Sequence, residues 1–164
     1  MRLSDEDFNR YLCGVCAATR STLDKGRHST WLLTLTGIVE GKNGELEGFV
    51  DCLVGKKEEE DTSPNDLVLS FGRRVAEQRR APLAVLVTSE AYDNTISIFA
   101  STADGRLAAA TIPFTRRRDG TIRPGEPRVF PFEPGQREWS SKTNPAVLFY
   151  RGFKSARKKR RPIS

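Results

Sequence analysis

The chain has few of the residues from which metal and catalytic centres are most often built. It carries one histidine, His28, and three cysteines, Cys13, Cys16 and Cys52, in 164 residues. A structural zinc site takes four Cys or His ligands, normally as two spaced pairs. Cys13-Gly-Val-Cys16 is a single CxxC, and Cys52 and His28 do not form a second pair, so no metal is expected. A redox CxxC opens a helix after a strand, whereas this one falls inside a predicted helix and reads as buried or half-buried thiols. An odd cysteine count with no export signal points to a reducing compartment, and a cytoplasmic location is expected. No apolar run approaches the ~18 residues of a membrane span. The opening Met-Arg-Leu-Ser-Asp-Glu-Asp is acidic, with no apolar stretch behind it, and does not read as a secretory signal. Walker, GxGxxG, HExxH and GxSxG motifs are all missing, and no cofactor is expected.

Acidic residues are missing from one place in particular. After Tyr150 there is none, while Arg151, Lys154, Arg157, Lys158, Lys159, Arg160 and Arg161 supply seven of the 27 Lys and Arg. The first 150 residues therefore hold 20 basic against 21 acidic side chains and are close to neutral, although the whole chain is +6. The chain reads as one domain, residues 1–150, with a basic C-terminal tail, residues 151–164. Such a tail concentrates near polyanions.

What is present specifies a fold. Apolar residues make up 37% of the chain, low for a globular protein, but they are clustered enough for a modest core. Ser4 caps a first helix with Asp5, Glu6 and Asp7 in its first turn, where the helix dipole favours acids. Leu3 and Phe8 stand at the staple positions. Phe8, Leu12, Val15 and Thr19 follow helical spacing, and the helix ends near Ser21. Residues 31–39 and 46–54 form a hairpin around Asn43-Gly44, with Leu46, Gly48, Val50 and Cys52 on one face. Lys56 to Asp61 is a solvated charge run. Ser63-Pro64-Asn65-Asp66 opens a second helix, its inner stripe made by Leu67, Val68, Phe71 and Val75, with Arg73, Arg74, Glu77, Arg79 and Arg80 toward water.

Leu83 to Thr88 is a short apolar run and reads as a central strand, with Leu83, Val85 and Val87 facing Phe71 and Val75. Thr95–Ala100 and Leu107–Ile112 flank a loop at Thr102–Gly105. Arg116–Gly120 is a turn, and Val129–Phe132 is a candidate edge strand, where proline is tolerated. Asn144-Pro145 caps a segment that reads as a helix from Ala146 to Arg160 or as a strand through Tyr150 followed by a disordered tail. The spacing of Phe149, Phe153 and Ala156 favours the helix, and Gly152 weakens it. The expected class is α+β: a mostly antiparallel sheet with helices on one face, in the order α-ββ-α-β-ββ(-β)-α.

Lys25-Gly26-Arg27-His28, then Leu83 to Tyr92 ending in Ser89-Glu90-Ala91-Tyr92, then the meander Ile96–Phe114 carry a resemblance. The chain resembles a loosely defined set of small uncharacterised bacterial and phage-type α+β proteins, in which a strand ends in Ser-Glu-Ala-aromatic. Tyr92 stands where tryptophan is expected in that set. The resemblance implies the order of elements and no activity.

Three functions remain open at this point. The first is a non-enzymatic binding or adaptor protein with a protein partner. Its tail residues Lys154, Arg157, Lys158, Lys159, Arg160 and Arg161, joined by the turn residues Arg116, Arg117 and Arg118, contact DNA or RNA without reading sequence. Arginine suits phosphate because its guanidinium donates two hydrogen bonds at once. The same turn also reads as a charged loop that blunts a sheet edge. The second is a protein–protein interaction module or inhibitor within a larger assembly, with no nucleic acid. The third is a small enzyme using Glu90 and His28 for acid–base chemistry.

Overall fold

A computed structural model describes residues 1–24, 33–52, 63–78, 80–91, 93–134 and 144–159; His28, Tyr92, Arg160 and Arg161 lie outside them. Among the described residues three helices and seven strands follow one another as α1 (Asp5–Asp24), β1 (Thr34–Glu40), β2 (Leu46–Cys52), α2 (Pro64–Gln78), β3 (Ala84–Ala91), β4 (Thr95–Thr102), β5 (Leu107–Arg116), β6 (Ile122–Pro124), β7 (Arg128–Phe130) and α3 (Ala146–Lys159). The strands form one sheet in the order β2-β1-β3-β4-β5-β6, with β7 also on β5. Every pairing among the described residues is antiparallel. The α+β class is the one expected from the sequence, and the element order matches apart from β6.

The helices begin where the sequence places caps. The Asp7 amide donates to the Ser4 hydroxyl at 3.0 Å, and the Asp66 amide to the Ser63 hydroxyl at 3.2 Å. The Ala146 amide donates to the Asn144 side-chain oxygen at 3.0 Å. Asn144 is fully buried, and its amide nitrogen donates to the carbonyls of Ala100 and Ala108. The cap of α3 is thereby pinned to β4 and β5. α1 runs three residues past the expected end because its buried stripe, Phe8, Leu12, Cys16, Thr19 and Leu23, continues to Leu23.

The expectation of helices on one face of the sheet is corrected. β3 alternates, as strands do. Ala84 and Leu86 join one core with Phe8, Leu12, Cys16 and Leu23 of α1. Val85 and Val87 join another with Val68, Phe71 and Val75 of α2 and Phe149, Tyr150 and Phe153 of α3. The sheet is therefore covered by α1 on one face and by α2 with α3 on the other. The expected contact of Val85 and Val87 with Phe71 and Val75 is present, while Leu83, which precedes the strand, packs on the α1 side.

Three further details differ from the sequence reading. On β2 the inward residue is Phe49, whose ring lies against its cross-strand partner Gly37; a Cβ there would fall 2.3 Å from the ring. Leu46 and Val50 instead face water, 46% and 72% exposed. β5 is long enough that its free edge holds two short strands end to end, β7 on Ala109–Thr111 and β6 on Phe114–Arg116. Of these two only β7 is expected from sequence, as Val129–Phe132, and it spans Arg128–Phe130. Past its end, Asn9 of α1 exchanges two hydrogen bonds with the Phe132 backbone, at 2.8 and 3.2 Å.

Candidate functional site

α2 and α3 touch through backbone. A Cβ built on Gly72 would lie 2.0 Å from the Phe149 carbonyl oxygen, and one on Gly152 would lie 2.0 Å from the Leu69 carbonyl oxygen. Only glycine permits this approach, so the two residues mark the crossing of the helices. Gly152, which by propensity weakens α3, is what lets α3 lie flat on α2. Beneath the crossing the Phe149 ring sits among Phe71, Tyr150 and Phe153, with centroids 6.2, 5.2 and 6.2 Å away. The Tyr150 hydroxyl donates to the Pro82 carbonyl at 2.8 Å. Burial pushes the Tyr150 pKa well above its ordinary value, and the phenol stays neutral.

The basic residues of this segment stand on the outer side of this frame. α3 carries no acid, and Arg151, Lys154, Arg157, Lys158 and Lys159 are all exposed. The helix crosses position 150/151, so these side chains project from a packed element. Arg157 lies over the Phe153 ring, 4.8 Å from its centroid. Arg157, Lys158 and Lys159 occupy the last turn, where the helix dipole favours cations.

Arg116, Arg117 and Arg118 do not join this group. Lys154 lines a shallow groove with Ser101, Thr102, Asp104 and Leu107, at the start of β5. Arg116 closes the other end of β5, about 30 Å of strand away at ~3.4 Å per residue. Its guanidinium donates to the Glu90 carboxylate at 2.9 Å and lies over the Phe114 ring. The two residues singled out for different chemistry, Glu90 for catalysis and Arg116 for phosphate, are thus partners of one another. Arg117 and Arg118 remain exposed in a turn held by Asp119, which accepts from the Thr121 amide and hydroxyl.

The CxxC lies on α1 well inside the helix, with Cys13 exposed and Cys16 buried, both as free thiols. Burial, reinforced by Cys13 and opposed by Arg20, raises the Cys16 pKa, which disfavours the thiolate. Among the described residues, no three His, Cys, Asp or Glu side chains are placed to hold a metal ion. No helix among them is long and apolar enough to cross a membrane.

One ionic cluster escapes sequence reasoning. Arg106, only 7% exposed, donates to Asp5 at 2.6 Å, to Asp104 at 2.9 Å and to the Leu3 carbonyl at 2.6 Å. It ties the start of α1 to the β4–β5 loop and is fully partnered, which marks it as structural. Burial pushes the Asp104 carboxyl up, but hydrogen bonds from Thr102, Arg106 and Arg2 outweigh this and hold it at about 2. A lowered folded-state pKa contributes stability above the ordinary carboxyl range and loses it as pH falls. Stability should therefore decline between pH 4 and pH 2 in part through Asp104. Because Asp104 is 41% exposed, salt should weaken the effect. Denaturant midpoints of the parent and of Asp104→Asn, measured across this range, should converge toward the acid end.

Comparison with protein-family models, with curated proteins and with solved structures gives no match in any of the three. The functional reading rests on the geometry of this chain.

Proposed function

We propose that the protein is a non-enzymatic binding or adaptor domain that attaches to nucleic acid electrostatically, without reading sequence, through the outer face of α3 and the basic residues that follow it. The observation that carries this reading is the acid-free helix. Five exposed cations stand on one element whose inner face is anchored in the core and whose cap is pinned to the sheet. Cations on a packed helix lose less freedom on meeting phosphates than cations on a loose chain, which lowers the cost of binding. The reaction partner is the phosphate backbone, so affinity should fall steeply with salt as counterions are released.

The test is anisotropy of a labelled DNA duplex over a salt series. The variant Lys154→Gln/Lys158→Gln/Lys159→Gln should bind more weakly at low salt, and its log–log salt slope should be shallower by about three units, about 0.9 per lost contact. Unchanged affinity and slope would place the contact elsewhere, with Arg117 and Arg118 next to be tested.

A second reading has one observation in its favour. β2 is an edge strand whose outer face exposes Leu46 and Val50, and such edges pair with extended segments of other proteins. A protein partner at this edge is compatible with nucleic acid on α3 and fits an adaptor. The enzyme reading gains no acid–base pair among the described residues: Glu90 is held by Arg116, and His28 lies outside them.

A further inference from the structure

The helix crossing adds residues to the binding face that the basic segment alone does not contain. Arg73 follows Gly72 on α2, and Arg151 precedes Gly152 on α3; both are exposed. A Cβ built on Gly152 would also lie 3.3 Å from the Arg73 backbone nitrogen, so Arg73 stands at the crossing itself and Arg151 one residue before it on the other helix. Helical spacing puts Leu69 and Arg73 of α2 and Lys159 of α3 along the margin of the seam, and Arg151 on the outer face of α3 beyond it. No ion pair found among the described residues involves Arg73, Arg151, Lys154, Lys158 or Lys159. Mutual repulsion of such cations is relieved by an anion that bridges them.

The aromatic residues decide which anion. Phe71, Phe149, Tyr150 and Phe153 are turned inward, 7%, 0%, 5% and 4% exposed. The outer face of α2 and α3 therefore offers no ring on which an unpaired base can stack, the interaction that supplies about 1–3 kcal/mol per base in single-strand binders. What it offers is charge, and a duplex presents charge most densely, about one per 1.7 Å of axis. α3, 14 residues long, extends about 21 Å at 1.5 Å per residue, enough to follow several successive phosphates.

We infer that the polyanion-binding surface is formed jointly by α2 and α3, that Arg73 of α2 and Arg151 of α3 both contribute phosphate contacts to it, and that it takes double-stranded in preference to single-stranded nucleic acid. This rests on the nucleic-acid reading above. For about five contacts, the counterion coefficients of about 0.9 for duplex and 0.7 for single strand differ by about one decade of affinity per decade of salt below 1 M. A duplex should then bind roughly tenfold more tightly than an unstructured strand near 0.1 M salt.

The experiment measures binding of the full chain to a DNA duplex and to oligothymidine of equal phosphate number, by anisotropy over a salt series. Arg73→Gln and Arg151→Gln should each weaken duplex binding and reduce the salt slope by about one unit. Arg10→Gln, on the opposite face of the sheet, should change neither. Denaturant midpoints equal to the parent's confirm that the variants are folded. Oligothymidine binding as tight as duplex binding would overturn the preference. If Arg73→Gln leaves affinity and slope unchanged while the α3 triple variant weakens both, the joint surface is overturned and the α3 reading stands. If the parent binds neither probe at low salt, both readings fall together.

Discussion

Replacing Gly72 by alanine should destabilise the protein by about 3 kcal/mol, although alanine is the better helix former. Two effects oppose each other. Alanine in a helix interior is favoured over glycine by about 1 kcal/mol through chain entropy and solvation. Against this, the new Cβ would stand 2.0 Å from the Phe149 carbonyl oxygen and 2.9 Å from its carbon. Both atoms are backbone, so neither can rotate away. The helices must separate by more than an ångström, and Val68, Phe71 and Val75 then lose contact with Phe149 and Phe153 across a core that is close-packed. Separation therefore wins over propensity.

Gly152→Ala should behave alike, with its Cβ at 2.0 Å from the Leu69 carbonyl oxygen. The double variant should cost less than the sum, because one separation accommodates both. Gly14→Ala is the internal comparison. It lies in α1 with nothing within 4 Å of its Cβ, and should raise stability by up to about 1 kcal/mol. Denaturant midpoints at constant slope measure all four variants. If Gly72→Ala matched Gly14→Ala, the helices would not touch through backbone, and the surface inferred across their crossing would lose its basis.

These glycines also show where sequence stops being informative. Residues whose partners are local are legible: Ser4, Ser63 and Asn144 cap because a side-chain oxygen reaches an amide two or three positions on. The alternation of Val85 and Val87 toward Phe71 and Val75 is likewise a short-range pattern. Gly152 is not legible in this way. Its reason for being glycine is a carbonyl on another helix, about eighty residues earlier, and a propensity argument sees only its cost. Arg106 is similar: it stands just past the loop Thr102–Gly105, and its partners Leu3 and Asp5 are about a hundred positions away. The inner face of β2 depended on one aromatic, Phe49, against three weaker apolar positions, and the register with Gly37 decided it. For the candidate site, the basic residues of α3 were legible as charge. The contribution inferred for Arg73 was not, because nothing in the sequence brings position 73 beside position 152.

Phe149→Ala should cost about 4 kcal/mol, the largest single-residue effect expected here. The side chain is fully buried and touches three other aromatic rings. Truncation removes its transfer free energy and leaves a cavity that the α2–α3 crossing, already at backbone contact, cannot close by further approach. Phe149→Leu should cost less, about 1.5 kcal/mol, because most of the volume is kept. Val50→Ala, at a side chain 72% exposed, should stay within about 0.5 kcal/mol. The informative comparison is with DNA binding. Phe149→Ala leaves every cation of α3 in place, so while it remains folded it should bind duplex close to the parent's affinity and lose binding only along its unfolding curve. The lysine triple variant should do the reverse, with binding lost and the midpoint nearly unchanged. A Phe149→Ala protein that is folded by its denaturant curve yet fails to bind would show that the precise seat of α3, and not its charge alone, sets the interaction.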